Sequence, residues 1–558
     1  MRDPYSNSKF FKNRKRWISS SAKERKENMN VSKFETALKN TMAGEVSITE
    51  NGAIGFKTSG KALLDINFGV SSLRGKSDAE ITKMYSAAYY EDPLLAIKWL
   101  FLARDIRGNG MGERNLFRVC MKWLYGIKPE VVKALIPLVA EYGRFDDLFC
   151  LISFKNDDQV QAEVIKYIDE QWAKDIENMN NKKPISLLAK WMKSCNTSSS
   201  ESVKIGKFFA KELQLSEKTY RKTLSAMRKY LNVTEVKTSA NKWSEIDYSS
   251  VCSGANLKYK NAFLKHDEAR RREFLGKLEK GEAKINSSTS FPSDIVHAYS
   301  KNQNGYYRSC IFTKDTALEG MWKALPDYIK GNEDGSTIVV ADSSGSMTGS
   351  VNGTSMTFME VAYSLAIYFA ERLNGPFKDK TITFSEHPKF LDMSNASSLA
   401  EKLEVMYSFS EVANTNIKAV FDLILKTAKD NKLSQKDLPS NILIISDMEF
   451  DGSVDFGYSR WSYDQSYNAK KLALFETIKQ KFEGAGYKLP QLVFWNVNSR
   501  TKTIPLTTNE LGVALVSGYS PAIANMVFSA KMDPYEVLVD AVNAKRYDAV
   551  QKAIETLL

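Results

Sequence analysis

Beyond residue 335 the chain alternates short, wholly apolar runs with amphipathic stretches, and this restricts the fold more than any other feature. The apolar runs are residues 336–342, 380–385, 440–446, 491–497 and a weaker 512–516. Runs such as "NILIISD" and "QLVFWNV" lack polar alternation, as expected of strands covered on both faces. Helical periodicity fills the intervals at 357–373, 397–407, 416–430, 467–483 and 521–529. The pattern predicts a doubly wound, mostly parallel α/β sheet, closed by a last helical stretch over 534–557.

The preceding part differs in kind. From about residue 78 to 330, apolar residues recur at three- and four-residue spacing, as in "DAEITKMYSAAYYEDPLLAIKWLFLARDI", which marks amphipathic helices. Short Gly, Pro, Asn and Ser breaks separate "ERNLFRVCMKWLYGI", "PEVVKALIPLVAEYG", "SVKIGKFFAKELQL" and "EKTYRKTLSAMRKYL". Many helices without a fixed period predict an irregular helical-repeat array. Residues 1–30 are polar and basic, with Phe10, Phe11 and Trp17 among the charges, a composition for an arm that orders on binding. The expected plan is therefore multidomain, α followed by α/β: an arm over 1–30, a helical-repeat domain over 31–333, and a parallel-sheet domain with C-terminal helices over 334–558.

Charge follows this division. The net charge is +12, yet residues 334–558 hold 22 Lys and Arg against 26 Asp and Glu, leaving +16 on residues 1–333. Such asymmetry points to a polyanion partner for the first part; the plainer reading is a solvated helical surface. No apolar run approaches the roughly 20 residues of a membrane span. The basic start lacks the apolar segment of a secretory signal. Five widely spaced cysteines without a CxxC read as reduced thiols in a cytoplasm-like compartment.

The first apolar run of the sheet domain ends on an acid: "STIVVADSSGSMTGS", residues 336–350. Ligands bind beyond the carboxyl ends of parallel strands, where Asp342 sits and where Asp447 ends a second strand. Ser344 and Ser346 alternate in the following loop, and Thr415 precedes a helix. Two carboxylates and three hydroxyls make an all-oxygen set that suits a hard, water-retaining cation such as Mg²⁺. The alternative makes Asp342 and Thr415 caps and the serines ordinary loop hydroxyls.

In the basic part, "LARDIRGNGMGERNLFRVCMKWL", residues 102–124, lacks both the Lys-Ser/Thr of a P-loop and a preceding strand. Arg104, Arg107 and Arg114 flank its glycines; they either hold phosphates or pair with Asp105 and Glu113. Further on, aromatics alternate with cations, a mix suited to stacking bases and gripping phosphates. Lys222, Arg228, Lys229, Lys242 and Lys260 are expected on the surface, with Arg270 and Arg271 in a basic helix. Trp191 and Trp243 are read either as part of that surface or as core.

"DSSGSM", "NTN" and "IISD" resemble the metal-ion-dependent adhesion site of von Willebrand factor A domains. The resemblance implies metal-ligand roles for Asp342, Ser344, Ser346, Thr415 and Asp447, with a position left for a partner's carboxylate. The loop "MTGSVNGTSM" is longer than usual in that family, and "EFDGSVDFGYSRWSYDQSYN", residues 449–468, is a long insertion. It is read either as a partner surface or as a packed loop. The helical segments, followed by an A domain, resemble the TROVE-type module of the Ro ribonucleoprotein. They are still more similar to a poorly characterised family of the same two-part plan, through "RDIRGNGMGER", "YGRFDDL", "YRKTLSAMRKYLNVTE" and "VFWNVN". The resemblance implies a helical ring and a noncoding RNA partner.

His266, His297 and His387 are scattered, without an HExxH, GxSxG or kinase-like set, so no enzyme is expected. The expectation is a cytoplasmic, Ro-like RNA-binding protein with a divalent cation, Mg²⁺ by choice, in its A domain. The alternative is a metal-dependent protein-interaction scaffold without nucleic acid. A metal-dependent nuclease is a third class.

Overall fold

The computed structural model describes residues 46–50, 54–156, 158–300, 311–330, 336–352, 354–409, 411, 413, 415–450, 474–500, 504–505, 513–527 and 533–558. The chain divides after Val46, and the arm expected over residues 1–30 lies outside the described residues. The second unit, Ser47–Leu558, carries both the helical array and the sheet.

The longer helices of the array are α1 Ala62–Gly69, α2 Asp78–Glu91, α3 Pro93–Arg104, α4 Arg114–Ile127, α5 Pro129–Tyr142, α6 Gln159–Asn180, α7 Ser200–Glu212, α8 Glu217–Tyr230, α9 Glu268–Glu279, α10 Pro292–Ser300 and α11 Thr316–Lys323. Local chemistry starts many of them. Ser77 and Glu80 form a capping box for α2, Asp92 caps α3 with Pro93 in its first turn, and Asp158, Ser199 and Ser216 cap α6, α7 and α8. Helices α1 to α6 pack each against the next, and α8 joins α6 and α7. The array returns on itself: a Cβ on Gly112, just before α4, would stand 2.9 Å from the Phe291 ring, just before α10.

Six strands form one sheet: β1 Thr337–Asp342, β2 Lys380–Phe384, β3 Lys389–Asp392, β4 Asn441–Ser446, β5 Gln491–Asn496 and β6 Val513–Ser517, in the order β3-β2-β1-β4-β5-β6. Neighbours run parallel except the edge pair β2–β3, and the register places Val340 opposite Ile444. Five strands lie within a residue of their predicted bounds. Strand β3 was not foreseen: only Leu391 of its four residues is buried, so no apolar run announces it. Helices α12 Phe358–Arg372, α13 Leu399–Ser408, α14 Ile417–Asp430 and α15 Leu474–Gly484 complete the doubly wound layers. The expected stretch 534–557 is two helices, α16 Pro534–Val542 and α17 Asp548–Ile554.

Both ends of the array rest on the sheet part. Helix α1 lies on edge strand β6, where the Ser71 and Ser517 hydroxyls meet at 2.8 Å and Asn496 Nδ2 donates to the Phe68 carbonyl (2.8 Å). At the other end α10 packs on α12. Every residue of α12 from Phe358 to Ala370 is buried, because one side faces the sheet and the other the array; a helix apolar all round is a buried one.

The glycine-rich segment before α4 is a junction. Asp105 is fully buried and accepts from Arg546 Nη2 (2.9 Å) and from the N–H groups of Arg107 and Gly108 (3.0 and 2.9 Å). A Cβ on Gly110 would stand 2.4 Å from the Leu102 carbonyl, so the close approach requires glycine. Through Arg546, and through Lys98 Nζ donating to Asn543 Oδ1 (2.6 Å) and Gln551 Oε1 (3.1 Å), the C-terminal helices are bound to α3.

Candidate metal centre and basic face

Asp342 ends β1 and Asp447 follows the end of β4, so adjacent parallel strands deliver both carboxylates to the crevice where the strand order reverses. Both are fully buried. The Ser344 N–H donates to Asp342 Oδ1 (2.8 Å) and the Ser446 hydroxyl to Asp342 Oδ2 (2.6 Å). Ser344 Oγ and Ser346 Oγ are 3.0 Å apart, and the Glu449 N–H donates to Asp447 Oδ1 (3.3 Å). The segment bearing Thr415 is pinned to the same loops: the Gly345 N–H donates to the Ala413 carbonyl and the Asn416 N–H to the Ser385 carbonyl, each at 3.0 Å. Thr415 is buried there, and Asn416, not Thr415, caps α14 through the Ala419 N–H (3.1 Å).

Burial and the neighbouring Asp342 carboxylate push the Asp447 carboxyl up to about 7, against the lowering pull of the Ser346 hydroxyl, the Glu449 N–H and Arg500. Asp447 Oδ2 has no hydrogen-bond partner, and the Arg500 guanidinium stands 3.6 Å away while pairing more closely with Glu50 (2.9 Å). A buried, unbonded carboxylate oxygen beside a second carboxylate and two hydroxyls fits a hard divalent cation. Among the described residues no three His, Cys, Asp or Glu side chains converge, so such a site depends on its hydroxyls. Reading the sequence missed Ser446, which precedes Asp447 directly, and Arg500, whose distance along the chain gives no signal. The loop after Ser346 folds into a short 3₁₀ turn, Gly345–Thr348, and a hairpin closed by Ser350 and Thr357, with Val351 and Met356 buried. Residues 451–468 of the long insertion lie outside the described residues.

The basic residues divide sharply. Arg107, Arg114, Lys222, Lys229 and Lys242 are exposed; Lys242 pairs with Glu245 (2.7 Å). The others bond within the protein, and burial corrects the reading of Arg104, Lys260 and Arg271 as open to phosphates. Arg104 is buried and holds Asp147 through Nε (2.8 Å) and Nη2 (2.7 Å). Lys260 is buried against Asp315. Arg271 is fully buried, its guanidinium 4.9, 5.2 and 5.3 Å from the ring centres of Tyr248, Phe263 and Phe274. Arg228 donates to the carbonyls of Ala189 (2.8 Å) and Met192 (2.6 Å), and the exposed Arg270 to those of Ser244 (2.6 Å) and Ile246 (2.7 Å). Arginine's fork satisfies carbonyls as readily as phosphates, and sequence spacing does not tell the two apart. Trp191 carries the Arg144 guanidinium at 3.8 Å, and Trp243 stacks on His266 at 4.5 Å.

Residues 49–168 and 153–334 match a domain of unknown function, DUF2828, and residues 336–555 match another, DUF7788. An uncharacterized protein of Acanthamoeba polyphaga mimivirus is 29% identical over 531 residues, spanning 88% of this chain and 86% of that protein. Among solved structures, the crystal structure of the Deinococcus radiodurans RO (RSR) protein is similar over 85% of this chain and 93% of that chain, with 13% identity and a TM-score of 0.36. Similarity at that level of identity and TM-score transfers neither a site nor a function.

Proposed function

The chain belongs to the DUF2828 family, and we propose that it is a Ro-like RNA-binding protein whose helical array grips noncoding RNA while its A domain holds a divalent cation. The outer face of α8 carries this reading. Lys218, Arg221, Lys222 and Lys229 are all exposed on it, and Tyr230 at its end is 39% exposed. Its one acid, Glu217, is turned to Lys207 (3.4 Å). A row of cations ending in an open ring suits phosphates and a stacked base. Contacts of this kind position RNA without reading its sequence. Buried Tyr220, Leu224 and Met227 anchor the inner face of α8, so the cations stand on a rigid element.

In the A domain, Asp342, Ser344, Ser346, Thr415 and Asp447 would hold Mg²⁺, which when bound supplies positive charge against the buried carboxylates and a position for a partner's carboxylate. The Asp342 and Asp447 carboxylates are preset by β1 and β4, and Ser446 orients Asp342. On this reading RNA binding and partner capture use separate surfaces.

The test is to extract and sequence the nucleic acid that copurifies with the native protein at low salt. Discrete small RNAs are expected, and they should be lost when Lys218, Lys222 and Lys229 are all replaced by Gln. Wild-type protein free of RNA would overturn the reading and favour the protein-interaction scaffold.

A further inference from the structure

His297, in α10 of the array, meets two residues of the A domain that lie 58 and 63 positions further along the chain. Its Nδ1 is 2.9 Å from Glu360 Oε2, and its Nε2 is 3.2 Å from Ser355 Oγ. The roles follow from elementary chemistry. A carboxylate only accepts, so Nδ1 carries the ring proton. When the ring is neutral, Nε2 accepts and the Ser355 hydroxyl donates to it. Glu360 is itself held, because the Thr357 N–H donates to the same Oε2 (2.7 Å) in the capping box that starts α12.

The side chains of His297 and Glu360 are 12% and 6% exposed, whereas Ser355 is open to solvent on the hairpin closed by Ser350 and Thr357. An orienting acid inside, an imidazole at the boundary and a hydroxyl outside is the arrangement that activates a serine. Helix capping accounts for the contact between Glu360 and Thr357, but it does not call for a serine on the far nitrogen of His297.

We propose that Ser355, His297 and Glu360 form an acyl-transfer site for carboxylic esters, independent of RNA binding. Ser355 Oγ bonds to the ester carbonyl carbon as its proton passes to His297 Nε2. The carbon–alkoxy bond then breaks, and the leaving alcohol takes that proton. Water attacks the acyl-serine by the same route, releasing the carboxylic acid and restoring the hydroxyl. Ester and water become acid and alcohol, with no change of oxidation state. Ser355 and His297 are the catalytic residues, and Glu360 is a positioning residue that holds Nδ1–H and offsets the imidazolium charge.

The full chain is treated with a fluorophosphonate probe, the modified residue is mapped, and p-nitrophenyl acetate hydrolysis is followed. Modification at Ser355 is expected, absent from Ser355→Ala and slowed about a hundredfold or more in His297→Gln. Glu360→Gln keeps the capping box, since Gln serves at that position. It should lower the maximal rate of ester hydrolysis with the half-saturating concentration unchanged, which loss of the cap would not do. Thermal unfolding of each variant, together with the exposed Ser355→Ala, separates misfolding from lost chemistry. Folded wild-type protein unlabelled at Ser355, or labelled as fast in a folded His297→Gln, would overturn the proposal and leave these residues a structural clasp.

Discussion

Asp342 and Asp447 show how far single residues can be read. Each closes an apolar run, and a strand's end in a parallel sheet fixes where its last side chain goes; the structure brings both into one crevice. Two adjacent buried carboxylates repel one another at a cost that a cation removes. Mg²⁺ at a hundred times its dissociation constant should therefore stabilise the protein by about 2.7 kcal/mol, read as a rise in thermal midpoint. Asp342→Ala should abolish that rise. Asp447→Asn should raise the midpoint of the metal-free protein and show no response to Mg²⁺. A midpoint indifferent to Mg²⁺ in the wild type would count against a metal here. The basic residues were less legible, because burial depends on partners remote in sequence. Arg104 looks like a phosphate ligand until Asp147 is placed against it, and the junction beside it is closed by Arg546, 441 residues beyond Asp105.

At the scale of elements, strands buried on both faces announce themselves, whereas the polar edge strand β3 and the break between α16 and α17 do not. The segment "YGRFDDL" has its physical reason in α3, α4 and the turn after α5: Arg104, Arg118 and Arg144 converge on Asp146 and Asp147. Arg104→Ala should destabilise the chain by about 1.5–3 kcal/mol, the usual worth of hydrogen bonds to a charged group, because Arg118 still pairs with Asp147 (2.7 Å). Burial alone would raise the Asp146 carboxyl, but the Arg144 and Arg118 guanidiniums outweigh it and hold it below its ordinary range. A value lowered by folding means stabilisation that is complete above about pH 4 and is lost as pH falls through the folded-state value. Urea midpoints should decline over that acid window, and Asp146→Asn should flatten the decline. An unchanged slope in the variant would refute this assignment.

Within Ser47–Leu558 the described elements make a closed circuit of contacts. The array leaves β6 at α1 and comes back to the sheet through α10 and α12, and the C-terminal helices tie α3 and α5 to the chain's end. The sequence reveals the two parts and their opposite charges, but not this closure, which rests on small contacts such as Ser71 with Ser517 and Gly112 with Phe291. The circuit holds α8 as a fixed basic face, the surface proposed to bind RNA. Its most direct test is the affinity for a fluorescent single-stranded RNA measured across a salt series. Phosphate-dominated binding predicts a steep linear fall of log affinity with log salt. Replacing Lys218, Lys222 and Lys229 by Gln should make that slope shallower by about two, at roughly 0.7 per lost contact. A wild-type affinity flat across the series would contradict the account.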